Sequence, residues 1–423
     1  MSARKTASKD RPERLPQKTA ITPMKILFVH DNYPAQFGAL GGWLARRGWE
    51  VRFATSWAGG DEKDPRFLRY KTHREPTEGV HPYAANFEKA VINGQSAARA
   101  FITARDAGFS PDVIMAHSGW GSGMFARNIW PTASFVPYFE WWYRTPPPDD
   151  VSLGTYKPDL HAHLRQTTRN TPFLLDYTGA ALRLCPTEFQ ASQFPEELRQ
   201  GLTVLHDGLD LEFHAPATAP VEMAAGVDVG AMNEIVTFFT RGMEPHRGFP
   251  QFMRALAAVQ ARRPDLHAII GGEDRVAYGS KLPEGESWKA RMLAELDGQL
   301  DLERVHWVGL QPRGEFVKVL QASHAHVYLT ADFVLSWSML DAMAIGCPMV
   351  ASDCAPVREF MDDETGLLVG LDDEEALANA IDAALSDRDG MRARGLAARE
   401  RVRARCDRET IYPEKEALLK GLL

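Results

Sequence analysis

Short apolar runs alternate with amphipathic stretches from Met24 to His206, and the same alternation restarts at Ile235, which constrains the fold more than any other feature of this chain. KILFVH, a polar turn, FGALGGWLARRG and EVRFAT read as a strand, a helix closed by Gly48, and a strand. Apolar strands separated by helices need crossover connections, and crossovers of this length make parallel sheets covered on both faces. The alternation continues through DVIMAH, a glycine-rich turn and helix, ASFVPYF, a long helical pattern through LLDYTGAALRL, a helix at TEFQASQF and the strand LTVLH.

The segment DGLDLEFHAPATAPVEMAAGVDVGAMN then loses periodicity and gathers proline, glycine and small residues, as a connection between domains does. Beyond it lie IVTFF, a helix through FPQFMRALAAVQARR, HAIIGG, a helix around WKARMLAELDGQL, VHWVG and HVYLT. GLLVG, two amphipathic patterns and a terminal helix in CDRETIYPEKEALLKGLL complete a second open sheet. A chain of 423 residues exceeds what one hydrophobic core usually serves. The expected architecture is therefore α/β, with two doubly wound, Rossmann-like domains facing across a cleft. The expected parts are a disordered polar tail over 1–23, a first domain over 24–212, a second over 213–405, and a helix over 406–423 free to pack back on the first domain.

Composition narrows the class of partner. The chain carries 48 Lys and Arg against 56 Asp and Glu, without a strongly basic face, which argues against nucleic acid as a partner. Its four cysteines form no CxxC pair and have no nearby histidine at zinc spacing, so neither a disulfide framework nor a structural metal is expected. No window reaches the length of a membrane span, and the first residues lack the apolar core of a secretion signal, so a cytoplasmic location is expected.

In open parallel sheets, ligands bind beyond the carboxyl ends of the strands, where the first turns of helices point free N–H groups. TRGMEPHRGFPQFMRAL puts Arg241, Gly242, Arg247 and Gly248 in such a turn. Guanidinium forks match phosphate oxygens and glycines let backbone approach, so a diphosphate is the natural guest; solvated loop charges are the plain alternative. No GxxxxGK[ST] cradle occurs. In FVLSWSMLDAMAIGCPMVASD, Ser336, Trp337 and Ser338 precede or open a helix that Gly346 ends. Ser338 and Asp341 spell S-x-x-D, which serves either as a capping box or as ligand contact.

Taken in order, MKILFVHDNYP, the HSGWG turn, TRGMEPHRGF and FVLSWSMLDAMAIGCPMVASD resemble the retaining glycosyltransferases of family 4, particularly a bacterial subgroup carrying FVLSWS. That resemblance implies the GT-B fold and a nucleotide-activated sugar donor, used without metal or cofactor and bound mainly by the C-terminal domain. It sets Arg241 and Arg247 where the family has an Arg and a Lys on the donor diphosphate. Phe333 and Asp341 fall on two family glutamates, the second of which holds the donor ribose. The backbone at Trp337, Ser338 and Met339 would serve the diphosphate, and Gly271, in HAIIGG, joins the expected donor set. His117, ending DVIMAH, matches the histidine beside the transferred sugar. Gln36, Phe37 and Gly38 replace the family's glycine pair and, with Glu140, are expected to contact the acceptor. The rings of Trp141, Trp142 and Tyr143 suit packing on a sugar or packing between domains.

The turn Gly119-x-Gly121-x-Gly123, with Glu140 ending the next strand, also approximates a dinucleotide fingerprint, although Met124 holds the last glycine position. Three functions follow. The first is a retaining glycosyltransferase with a nucleoside diphosphate sugar, UDP favoured, and a carbohydrate, lipid-linked or small-molecule acceptor, in surface polysaccharide or glycolipid synthesis, with peripheral membrane contact allowed. The others are an NAD-dependent oxidoreductase using the Gly119 turn and a non-catalytic sugar-nucleotide binder.

Overall fold

Two wholly parallel sheets organise residues 23–144 and 160–423, which the computed structural model describes. The expected disordered tail lies, but for Pro23, outside the described residues, as does the proline run after Arg144. The first sheet comprises β1 (Lys25–Val29), β2 (Glu50–Thr55), β3 (Phe67–Arg69), β4 (Val113–His117), β5 (Ser134–Tyr138), β6 (Leu184–Cys185) and β7 (Thr203–Val204). A short hairpin, β8 (Met223–Ala224) and β9 (Val227–Asp228), lies in the connecting segment that the sequence leaves irregular. The second sheet holds β10 (Glu234–Gly242), β11 (Leu266–Glu273), β12 (Val305–Gly309), β13 (Ala325–Tyr328), β14 (Met349–Ser352) and β15 (Leu367–Val369).

Strand order is β3-β2-β1-β4-β5-β6-β7 in the first sheet and β12-β11-β10-β13-β14-β15 in the second. Each order reverses once, between β1 and β4 and between β10 and β13. A reversal sends the flanking connections to opposite faces and leaves a crevice at the strands' carboxyl ends. His30 and His117 lie at the first crevice; at the second lie Arg241 and Gly242, which end β10 and are not in the turn expected for them, and the loop that runs on to Gly248.

The helical pattern expected through Leu184 is cut short. The helix Thr171–Tyr177 stops before Gly179, and Leu184–Cys185 is drawn into the sheet between β5 and β7. A longer element has no counterpart in the sequence reading: the helix Ala85–Asp106, 22 residues, covers one face of the first sheet. The buried positions of that helix include Ala90, Asn93, Gly94, Ser96 and Ala97, small or polar residues that leave a weak apolar stripe.

The second sheet's core is aliphatic and aromatic. Phe238 and Phe252 stack at 4.5 Å, both buried. Each such side chain contributes about 1.5–3 kcal/mol relative to exposure. The terminal helix Arg408–Lys420 packs Ile411, Tyr412 and Leu419 into the core of the first sheet. There Glu416 accepts from Arg47 Nε at 2.6 Å and from Trp49 Nε1 at 3.0 Å. Among the described residues no helix is long and apolar enough to cross a membrane.

The helix Arg388–Cys406 crosses the helix Trp337–Ile345 at Gly395, where an added Cβ would run into the carbonyl oxygen of Gly346. Backbone cannot rotate aside as a side chain can. Gly395→Val is expected to destabilise the chain by about 1–3 kcal/mol, read as a lower Tm; an unchanged Tm would contradict this packing.

Candidate functional site

A cleft of about 820 Å³ opens between the two strand-order reversals and is walled by both sheets. On the first-sheet side, β4 delivers His117 and the residues after β5 deliver Glu140. Glu140 Oε2 lies 3.2 Å from His117 Nε2, while its Oε1 accepts from Gln36 Nε2 at 2.8 Å. Burial would raise the Glu140 carboxyl, but the bonds from His117 and Gln36 outweigh it and hold the group below its usual range. His117 stacks on Trp120 at 4.4 Å and meets His30 edge-on at 4.8 Å.

His30 is a site residue that the sequence reading passed over, though it directly follows β1 as His117 closes β4. Its Nδ1 accepts from Asn32 N at 2.9 Å. Burial first, and His117 second, lower its pKa to about 3, so the ring is neutral near pH 7.

On the second-sheet side, Arg241 and Arg247 both line the cleft. Arg247 is buried, donates from Nη1 to Thr330 Oγ1 at 2.7 Å and from Nη2 to Val334 O at 3.4 Å, and lies over the Tyr278 ring at 4.9 Å. Gly248 follows with φ 66°, and a Cβ there would strike Leu329, so the loop can enter its helix only with glycine at this point. Glu244, in the same loop, is fully buried and gathers the N–H groups of Ala277 (3.1 Å), Tyr278 (3.0 Å) and Gly279 (2.7 Å). It thereby pins the loop that carries Tyr278, a role visible only once β10 and β11 lie side by side.

The helix Trp337–Ile345 points its first turn at the cleft, but its cap differs from the expected one. Ser336, not Ser338, is the N-cap, with Oγ accepting from Ser338 N at 3.4 Å. Its carbonyl takes Met339 N at 3.1 Å. Asp341 therefore falls beyond the first turn and forms no capping box. Its buried carboxylate lies 3.3 Å from His214 Nε2 and 3.6 Å from an Arg313 nitrogen, away from the cleft lining. Burial pushes this carboxyl up, with His214 and Arg313 pulling it back.

Other expected contacts are also displaced. Phe37 is buried against Phe28 and Tyr138, so its ring belongs to the core and not to an acceptor site. Gly38 abuts Pro34, Gly271 lies under the Phe239 ring, and Gly242 faces the carbonyl of Arg275. With Gly248 and Met339, these residues back the cleft without lining it. Gln36, His117, Glu140, Arg241, Arg247, Ser336, Trp337 and Ser338 do line it. Trp141 also lines it, whereas Trp142 packs with Phe173 and Phe194.

The dinucleotide alternative loses its cradle. At Gly119 an added Cβ would meet the Phe173 ring, at Gly121 the backbone of Ala90, and at Gly123 the methyl of Ala116. These glycines admit the protein's own atoms, and the helix that follows is only Ala126–Ile129. A pyrophosphate has neither the space nor the helix N-terminus it needs.

Two Rossmann-like parallel sheets with a cleft between their switch points, and Arg241 and Arg247 at the second of those points, have the GT-B architecture. Residues 47–214 match the family described as Glycosyl transferase family 4 group, and residues 233–387 match Glycosyl transferases group 1. Each half of the chain thus matches a glycosyltransferase family, which supports a family 4-like glycosyltransferase. It is 26% identical over 226 residues to the phosphatidyl-myo-inositol mannosyltransferase of Propionibacterium freudenreichii, covering 53% of this chain and 51% of that protein. It is 25% identical over 300 residues to the D-inositol 3-phosphate glycosyltransferase of Corynebacterium urealyticum, covering 67% and 66%. The chain spans about half the length of the first of these curated relatives. Among solved structures, sucrose-phosphate synthase from Thermosynechococcus elongatus superposes with TM-score 0.69 at 19% identity, covering 94% of this chain and 99% of that one. Anabaena HepE, in complex with UDP-glucose, gives TM-score 0.69 at 17% identity, covering 94% and 100%. At these identities the structures show the fold.

His30 also makes folding pH-sensitive. Its folded pKa is depressed below the ordinary 6.5, so between pH 6.5 and about 3 the unfolded chain binds a proton that the folded chain refuses, and stability rises with pH. Between pH 7.5 and 5, His30 is expected to cost the wild type about 2 kcal/mol that His30→Asn does not lose. Paired denaturant titrations at the two pH values check this; equal losses would contradict a buried neutral His30.

Proposed function

We propose that this chain transfers a sugar from a nucleoside diphosphate donor, UDP favoured, to an acceptor hydroxyl with retention of anomeric configuration, using no metal or cofactor. The observation that carries this reading is Arg247: a buried guanidinium, braced by Thr330 and Val334, that lines the cleft beside the start of the helix Trp337–Ile345. Leaving diphosphate develops negative charge, and a preorganised guanidinium with a helix N-terminus stabilises that charge without reorganising during the reaction. Arg241 adds a second cation. Because Ser336 already occupies Ser338 N, through a bond of 3.4 Å, an entering phosphate competes with a weak cap and not a strong one.

The departing phosphate would help deprotonate the incoming hydroxyl, leaving the protein to align the two. His117, steadied by Glu140, would lie beside the transferred sugar. Gln36 and Glu140 would face the acceptor, for which a carbohydrate, a lipid-linked sugar or a small polyol is proposed in surface glycoconjugate synthesis, in the cytoplasm or at the inner face of a membrane. Phe333, standing in the cleft where relatives of this family carry an acid, favours a second reading, a sugar-nucleotide binder without turnover. Mass detection of product from a donor and acceptor screen separates the two: nucleotide release supports transfer, and binding without any release supports the binder.

Arg247→Ala is expected to weaken UDP about 10- to 100-fold in calorimetry, the loss appropriate to charged hydrogen bonds, with Arg247→Lys intermediate. Thermal unfolding of each variant guards against misfolding, since Arg247 also bonds Thr330. Undiminished UDP affinity in a folded Arg247→Ala protein would remove the donor-site assignment.

A further inference from the structure

Beside Arg247 the cleft wall is built of rings contributed by both halves of the molecule. Phe333 lies 4.9 Å from Trp141, 5.3 Å from His246 and 5.3 Å from Tyr278, centroid to centroid. Trp141 follows β5, whereas the other three belong to loops of the second sheet, so the Trp141–Phe333 contact spans the cleft. All four residues line it. The Arg247 guanidinium carbon sits 4.9 Å from the Tyr278 ring and 5.9 Å from that of Phe333, so a group bonded to a phosphate on Arg247 is within reach of these rings.

The polar inventory of the cluster is small. His246 Nε2 is buried and has no hydrogen-bond partner among the described residues. Burial, with Arg247 adding to it, lowers the His246 pKa to about 4, which leaves a neutral ring able to donate from one nitrogen and accept at the other. Asp332, the carboxylate next to Phe333 in sequence, accepts from Ala355 N at 3.1 Å. Glu140, next to Trp141, is taken by Gln36 and His117. Neither carboxylate belongs to the ring cluster.

We propose that Phe333, Trp141, Tyr278 and His246 form the subsite for the transferred sugar, holding a neutral pyranose by its C–H face and by one hydrogen bond at His246 Nε2 instead of by a carboxylate. This rests on the donor reading given above. The face of a pyranose presents C–H hydrogens of slight positive charge, which match the negative faces of aromatic rings. The sugar belongs here and the nucleoside does not because Trp141 adjoins Glu140 and His117, on the wall from which an acceptor must approach. The reacting carbon has to lie between that wall and Arg247. The nucleoside hangs from the other phosphate, away from the acceptor side. Glu244 holds the Tyr278 backbone at 3.0 Å, so the subsite shares its support with the diphosphate loop.

The test compares calorimetric affinities for UDP with those for UDP-glucose, UDP-galactose and UDP-N-acetylglucosamine, using the full chain. For the sugar donor that binds wild type tightest, Phe333→Ala is expected to weaken binding about five- to tenfold while changing UDP less than twofold. Phe333→Tyr, which keeps the ring, should retain donor affinity within about twofold, and His246→Ala should again weaken the donor selectively. Equal weakening of UDP and donor by Phe333→Ala would put the base on these rings and overturn the assignment, as would no weakening of either. A wild-type chain that binds neither UDP nor any UDP-sugar would refute the donor reading itself, and the sugar subsite would fall with it.

Discussion

A guanidinium withdrawn from water must be compensated, and the second half of this molecule is arranged around that requirement at Arg247. Thr330 Oγ1 accepts from it at the end of β13, and Thr330 N in turn donates to Ser352 Oγ of β14 at 2.9 Å. Gly248 turns the chain directly behind it against Leu329. Three neighbouring strands thus contribute to holding one cation at their carboxyl ends. What remains of its hydrogen-bonding capacity faces the cleft, where a phosphate can complete it.

The two halves meet through polar and aromatic contacts that suit a cleft with a guest. Glu359 of the second half accepts from Glu188 N at 3.0 Å and Phe189 N at 2.8 Å, capping a helix of the first half. Arg399 donates to Leu211 O at 3.1 Å and His214 O at 2.7 Å, fastening the connecting segment to the second half. The Trp141–Phe333 ring contact bridges the cleft itself. Asp341 is drawn into this junction by His214 and Arg313, which explains why a residue in an apt sequence position does not face the cleft.

Much of the architecture was legible because strands buried on both faces must be apolar runs, as KILFVH and DVIMAH are. The helix Ala85–Asp106 was not, since apart from Ile92 and Phe101 its buried positions are alanine, glycine, serine and asparagine, which leave little apolar periodicity. The cap of the helix Trp337–Ile345 was misplaced by two residues because Ser336 and Ser338 are equally good caps by residue type, and only the structure shows the extended backbone at Ser336, whose N donates to the Tyr328 hydroxyl at 2.9 Å and whose Oγ accepts from Ser338 N. Arg247 and Arg241 followed from strand-end logic, and His117 from its strand-end place joined to the family resemblance. His30 obeys the same logic and could have been found by it. Glu244 could not, because its three backbone donors lie more than thirty residues away. The Gly119 turn misled because a glycine vacated for a ligand and one vacated for Phe173 or Ala90 look alike in sequence.

The central claim is that the second sheet's switch point holds the donor diphosphate. A crystal structure of the chain with UDP tests it most directly. The account predicts phosphate oxygens within hydrogen-bond distance of the Arg247 guanidinium, at the start of the helix Trp337–Ile345. Nucleotide seated instead over the Gly119 turn, or absent from the cleft at saturating UDP, would contradict it.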